Sequence, residues 1–521
     1  GQMPTTVRVG KQVVSWGEGT FFPSGLGSLN TFDITKLRGA AVNLKEGLLP
    51  VHQIYANISP TDNLTVEAFY QYRWSDTEPD PVGSWFSTND FAVDGTGRPD
   101  PLMLGFGAWS DQGTDWTPLG GFFDPSFQHV PRSGRGTPDD DGQYGLAIRN
   151  FFPDLLGGTE FGLYYANYHS RLPVLSGVTG TQAGLGNALG AATGAGATAL
   201  ALASGLSFDA AVAQGTIAGV GAAASAGGDI SAAEINSWAT VGGNTFLGGG
   251  DVGALTTALG TDQFGKTAQF YATFPEDIEI YGATFSTDIF GIAWQGEYTY
   301  KKDTPLQKDD VELLFAALSP LNAALGSFGQ LGAFGVGETI KGYEEKDVSQ
   351  FQTTFTYLSD PILGANVGAL VWEGAATYVH DMDSKSSGGP NGWGLRYDAP
   401  GTFVSGNENL SSVHFNEFEG AGNFPDDFSW GYRMLARLTY NGLVGAWNVS
   451  PSIGFRQDVN GITPGPGGNF FEGRTTTTLG INATLQNKWT MDLAWTSFNG
   501  GGHHNLVRDR DFLAFSLSLA F

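Results

Sequence analysis

The last twelve residues, RDFLAFSLSLAF at 510–521, constrain the chain most. Leu513, Phe515, Leu517, Leu519 and Phe521 fall on one parity, and Ala514, Ser516, Ser518 and Ala520 on the other. Side chains alternate across a strand, so this stretch has one greasy face and one small, polar face. Lipid on one side and water on the other is the setting that suits it, as in a transmembrane barrel strand. A soluble edge strand can alternate too, so the rest of the chain has to agree.

It does, at the spacing of strands about 9 to 12 residues long. The pattern predicts strands at 5–15, 51–59, 63–74, 143–152, 159–171, within 266–286, and at 290–301, 348–359, 365–380, 428–440, 443–456, 475–486 and 489–498, with the terminal stretch as the fourteenth. In the third, Leu64, Val66, Ala68, Tyr70, Tyr72 and Trp74 oppose Thr65, Glu67, Gln71 and Arg73; a polar inner face is normal for a water-filled barrel. Turns 2–3, 4–5, 6–7, 8–9, 10–11 and 12–13 are short, and every long insert falls on the other side, the asymmetry of outer-membrane barrels. Asn441-Gly442 predicts a tight hairpin between strands ten and eleven. Aromatics at strand ends (Trp74, Tyr300, Tyr440, Trp489) suit interfacial girdles.

Composition narrows the class further. Charged residues make up 15% of the chain and aromatics 13%, and no uninterrupted apolar run is long enough for a membrane helix. The absence of Cys fits a passage through an oxidising periplasm. A net charge of −26 argues against nucleic acid and against a basic lipid-binding patch. The reading is therefore all-β: one transmembrane antiparallel β-barrel over 1–521, with about 14 strands visible and up to about 18 if N-terminal strands are missing.

Its inserts differ in character. Residues 16–50 mix Glu18, Phe22, Lys36, Arg38 and Lys45 and are far longer than a hairpin needs, so they are expected to fold inward as a constriction. Residues 75–142 and 381–427 read as extracellular loops. Residues 172–265 carry no Lys or Arg, and ALALASGLSF, FDAAVAQGTIAGVGAAA and ALTTALG read as short apolar helices. Residues 302–346 hold VELLFAALSPLNAALGSFGQLGAF, again apolar and helical. Two such inserts on one side suggest a capture surface for hydrophobic molecules; packing on each other, on lipopolysaccharide or on a neighbour is the blander alternative.

No catalytic motif emerges: the seven His are scattered apart from the adjacent pair His503-His504, and the expectation is that the chain is not an enzyme. Charges of both signs sit on predicted lumen faces: Glu67, Arg73, Arg149, Glu160, Glu297, Glu373, Arg433, Arg437, Arg456 and Asp492. Mixed signs cancel the field that a selectivity ladder needs, which favours bracing of the lumen. Asp139, Asp140 and Asp141, with Asp111, Asp115 and Asp124 in the same loop, offer hard oxygen ligands for calcium; a solvated charge run is the alternative, and no other cofactor is expected.

The segment VRVGKQVVSWGEGTFFPSGLGSLNTFDITKLRGAAVNLKEGLLP, then DNLTVEAFYQYRW and FPEDIEIYGATFST, resemble the DUF1302 family of proteobacterial outer-membrane proteins. The final Phe also resembles the assembly signal of Gram-negative barrels. The resemblance implies a FadL-like channel in the Gram-negative outer membrane for hydrophobic small molecules or lipids. Its surroundings would be membrane lipid and lipopolysaccharide, and its partners a periplasmic DUF1329-type protein and an RND transporter. The alternative function is the outer-membrane component of a trans-envelope lipid-transfer machine, or a barrel-anchored surface scaffold.

Overall fold

The structure is a computed structural model that describes residues 3–38, 44–88, 102–103, 129–322, 330–385, 396–399, 421–486 and 488–520. Alternating residues pair into one antiparallel sheet of fourteen strands. They are β1 (Thr5–Gln12), β2 (Val51–Ile58), β3 (Leu64–Gln71), β4 (Gln143–Phe152), β5 (Thr159–Tyr168), β6 (Ile278–Ile289) and β7 (Ile292–Gln307). There follow β8 (Tyr343–Ser359), β9 (Val367–Val379), β10 (Phe428–Val444), β11 (Trp447–Asn460), β12 (Thr475–Leu485), β13 (Trp489–Asn499) and β14 (Phe512–Leu519). Each pairs only with its neighbours in sequence, an up-and-down meander, and β1 and β14 are its two edges.

Exposure follows the alternation. Leu146, Leu163, Tyr298, Phe351, Leu479 and Leu493 stand exposed on one face, while Gln143, Glu67, Thr299, Gln352 and Glu373 are buried on the other. An apolar outside and a polar inside define a transmembrane β-barrel wall. Seven strand spacings of a flat sheet separate β3 from β10 by roughly 34 Å. Yet one compact segment bonds both, Trp16 to Glu67 and Phe21 to Arg433, because the wall curls around it. At the rim, Phe86 beyond β3 packs on Phe498 and Phe512 of the last hairpin, with centroids 6.5 and 5.4 Å away, and Arg510 donates to the Ser87 carbonyl at 2.8 Å.

Some boundaries differ from the pattern. The β10–β11 turn falls at Gly445-Ala446, because Asn441 and Gly442 are absorbed into a bulge. There Asn366 and Asn448 side chains accept from their backbone N–H groups at 2.7 and 2.9 Å. Within 266–286 the wall strand begins at Ile278, and Gln269–Thr273 joins a four-stranded sheet with Arg132–Gly136, Val174–Val178 and Thr339–Ile340, seated over the long-loop end. Trp74 lies beyond the end of β3 and packs on Phe274, centroids 4.7 Å apart, rather than in a girdle.

The Ala/Gly insert forms four helices: α1 (Gln182–Ala203), α2 (Phe208–Ser225), α3 (Ala232–Leu247) and α4 (Val252–Gly265). Three of the four starts are fixed by side-chain caps: Thr181 accepts from Gly184, Asp251 from Ala254, and Ser231 with Glu234 makes a capping box. Helices without Lys or Arg hold together by close approach; a Cβ at Gly242 would meet the Ala195 backbone at 2.5 Å. The other apolar insert yields α5 (Asp310–Leu318), capped by Asp309, which accepts from Glu312; Pro320 follows directly after the last turn.

Candidate functional site

The lumen is organised by residues 14–32. Val14, Trp16, Leu26 and Leu29 pack with Tyr55, Phe69, Tyr164, Tyr168, Ile278 and Ile280 from the wall, a core built inside the barrel. Two buried glutamates grip the segment by its backbone. Glu297 on β7 accepts from the Glu18 and Leu26 N–H groups, both at 2.8 Å. Glu373 on β9 accepts from Thr20 at 2.9 Å and Phe21 at 2.5 Å. Each carboxylate uses both oxygens on main-chain donors, the arrangement that best offsets the cost of burying an ion. Glycine makes the approach possible. Gly17 and Gly25 have φ of +91° and +83°, and a Cβ on either would overlap the Glu297 carboxylate.

Around this latch the expected lumen charges sort into two groups. Glu67 accepts from the Trp16 indole at 2.7 Å and stands 3.5 Å from Arg149, with Glu160 on the adjacent strand. Arg433 donates to the Phe21 carbonyl and lies 4.5 Å from the Phe22 ring. Phe22 is 1% exposed and packs on Phe470. Arg456 pairs with Asp458 at 3.1 Å and donates to the Asn469 carbonyl at 2.7 Å. Nearer the short-turn end, Arg437 donates to Asn482 at 3.2 Å, and Asn482 donates to Asp492 at 2.6 Å. Arg73 lies outside both groups, exposed past the end of β3. Of the constriction candidates, Glu18 and Phe22 sit in the lumen, Lys36 and Lys45 are exposed, and Arg38 pairs with Asp80 beneath Phe86.

Asp139, Asp140 and Asp141 are exposed and tie the loop down: the Asp139 N–H donates to Glu276, Asp140 accepts from the Trp74 N–H, and the Asp141 carbonyl bonds His169. Asp111, Asp115 and Asp124 lie outside the described residues, as does most of 381–427. Among the described residues, one group of three carboxylates comes within ligand distance, Asp309, Asp310 and Asp398, their oxygens within 4.8 Å of one another. On the outer wall, Ser349 Oγ lies 2.7 Å from His380 Nε2 and 2.9 Å from the Tyr298 hydroxyl. The nearby Asp347 carboxylate bonds Tyr300 instead, so this is a polar knot in an aromatic band and not a triad.

A second site sits over the barrel mouth, between the two apolar inserts. A cavity of about 200 Å³ is lined by Leu102, Val130, Leu175–Gly177, Gln269, Phe270, Asp310, Val311, Leu313, Leu314 and Ala317. Behind it Ala188, Phe264, Ala268 and Leu318 form a buried apolar cluster that joins α1, α4 and α5. Gln307, at the top of β7, accepts from Leu175 N–H at 2.6 Å and donates to the Leu175 and Gly342 carbonyls, anchoring the cavity floor to the wall. Asp310 and Gln307 were not among the sequence candidates. The doubled Asp309-Asp310 before an apolar helix was their one visible signal, and it reads as a cap.

A family model described as "Protein of unknown function (DUF1302)" matches residues 1–521, and the chain belongs to that family. No curated protein matches it. Among solved structures, a mutant of the ferric enterobactin receptor PfeA from Pseudomonas aeruginosa is similar at 8% identity with a TM-score of 0.30; the match covers 86% of this chain and 41% of that one. The chain thus spans about two-fifths of that receptor's length.

Proposed function

We propose that the chain is an outer-membrane channel or transporter for hydrophobic small molecules, with the inserts facing the cell exterior. The observation that carries this reading is the apolar cavity between the inserts, held directly on the end of β7. Apolar side chains form most of its wall, and a cavity of that character gains ligand affinity from burying apolar surface. Below it the latched segment reaches across the inside of the wall from Glu67 on β3 to Arg433 on β10. The proposed passage runs past Arg437 of β10, Asn482 of β12 and Asp492 of β13. The lipid-transfer machine gains no specific support from these features.

Proteoliposome uptake of radiolabelled octanol tests the reading. Filling the cavity with Leu314→Trp is expected to reduce uptake at least tenfold while the folded, heat-resistant form persists on gels. Uptake equal to the unmodified chain would remove the cavity from the transport route.

A further inference from the structure

The cavity is apolar but its ionisable lining is one-sided. Among the described residues, Asp310 is the one charged residue on its wall, beside the neutral polar groups Ser176 and Gln269. The Asp310 carboxylate faces Asp309 from the same helix start and Asp398 from the 396–399 segment, within 4.8 Å. Of the nearby cations, Lys308 Nζ lies 3.4 Å from Glu344, and the Arg396 guanidinium lies over the Phe424 ring at 4.6 Å and acts on the Glu312 carboxyl. Among the described residues, no ion pair is made by Asp310. The α1–α4 bundle that backs the cavity adds no positive charge, since 172–265 has no Lys or Arg.

These features decide which headgroup the pocket tolerates. A ligand carboxylate brought beside Asp310 would add a like charge in a poorly hydrated site, which is costly. A hydroxyl finds an acceptor but supplies no charge. An ammonium supplies donors and the opposite charge together, and a charge-assisted bond is about twice as strong as a neutral one. At the ~30 Å³ that a water occupies in the liquid, the 200 Å³ cavity holds about seven non-hydrogen atoms of a ligand.

We propose that this cavity binds small apolar amines in their ammonium form, the hydrocarbon against Leu102, Val130, Leu175, Phe270 and Leu314 and the ammonium at Asp310. The proposal rests on the capture reading above and narrows it to a substrate class.

The test is calorimetry on the full chain in lipid nanodiscs at neutral pH, titrated with octylamine, 1-octanol and octanoate, with empty nanodiscs subtracted. Octylamine is expected to bind at least tenfold tighter than octanoate, with octanol between them. In Asp310→Asn the amine should fall to the level of the alcohol. Octanoate binding as tightly as octylamine overturns the proposal, and that comparison needs no variant. Amine affinity unchanged in folded Asp310→Asn overturns it as well. Leu314→Trp separates the two levels: it should abolish binding of all three ligands. If all three still bind, the capture reading itself falls, whereas loss of headgroup preference alone leaves that reading intact.

Discussion

Glu297 and Glu373 hold the lumen segment by main-chain N–H groups, so the grip survives changes in the side chains it holds but not changes in the glutamates. Glu297→Ala leaves the Glu18 and Leu26 donors buried without acceptors, at about 1–3 kcal/mol for each unsatisfied group. The expected outcome is a looser segment in an intact wall: higher conductance in planar bilayers and new protease cleavage within 16–30. The same conductance and cleavage pattern as the parent would show that the latch does not close the lumen. A second residue sets a pH dependence outside the membrane. Burial pushes the Glu312 carboxyl on α5 from 4.5 up to about 7. Because the folded value lies above the unfolded one, the protonated form favours the fold. That contribution is complete below pH 4.5 and lost as pH rises through about 7, a swing of about 3 kcal/mol. Helix melting followed by circular dichroism should therefore occur at a lower temperature at pH 8 than at pH 5, and Glu312→Gln should flatten the difference. Equal melting at both pH values in the parent contradicts this.

At the scale of elements, the strands were legible because the two sides of the wall meet different solvents, which forces a period of two on every strand. The tight turns and the asymmetry of the inserts were legible for the same reason. What misled was local turn chemistry. Asn441-Gly442 carries the hairpin signal, yet Asn366 and Asn448 capture its N–H groups, and the chain turns at Gly445. Gln269–Thr273 carries alternation that serves a different sheet, a tertiary choice that alternation alone does not encode. The helices of the Ala/Gly insert were visible from composition, but their length was not. A test of the facing follows. Leu479, 47% exposed, and Leu517, 54% exposed, point outward; arginine at either, near the bilayer midplane, should cost roughly 2–4 kcal/mol of unfolding free energy. Arginine at Ser518, on the inner face, should cost far less. Equal losses in urea titrations of all three variants would mean that the register is off by one.

For the whole molecule, the cavity over the barrel mouth was the part the sequence hid, since its wall is drawn from 102, 130, 175–177, 269–270 and 310–317, segments that only the folded chain brings together. Composition showed that both inserts are apolar; it did not show that Asp310 stands on the wall where they meet. The topology, however, says how far the inserts and the wall are separable. Val178 and Gln269 are direct partners in the small sheet, so the ninety residues between them, 179–268, leave and return at one point. Replacing them with Asn-Gly would close an ordinary two-residue hairpin without moving either strand. The fourteen-stranded wall takes no strand from this stretch, so none of its strand pairing depends on it. The expected product is a folded, heat-resistant barrel whose cavity has lost the backing of Leu185, Ala188 and Phe264. Its octylamine affinity should drop sharply. By contrast, excising only 205–250 and joining α1 to α4 keeps that backing and should leave octylamine affinity at the level of the intact chain. Loss of binding in both constructions would place the ligand in the outer part of the helical bundle instead, and failure of the first to assemble in a membrane would show that the wall depends on its insert to fold.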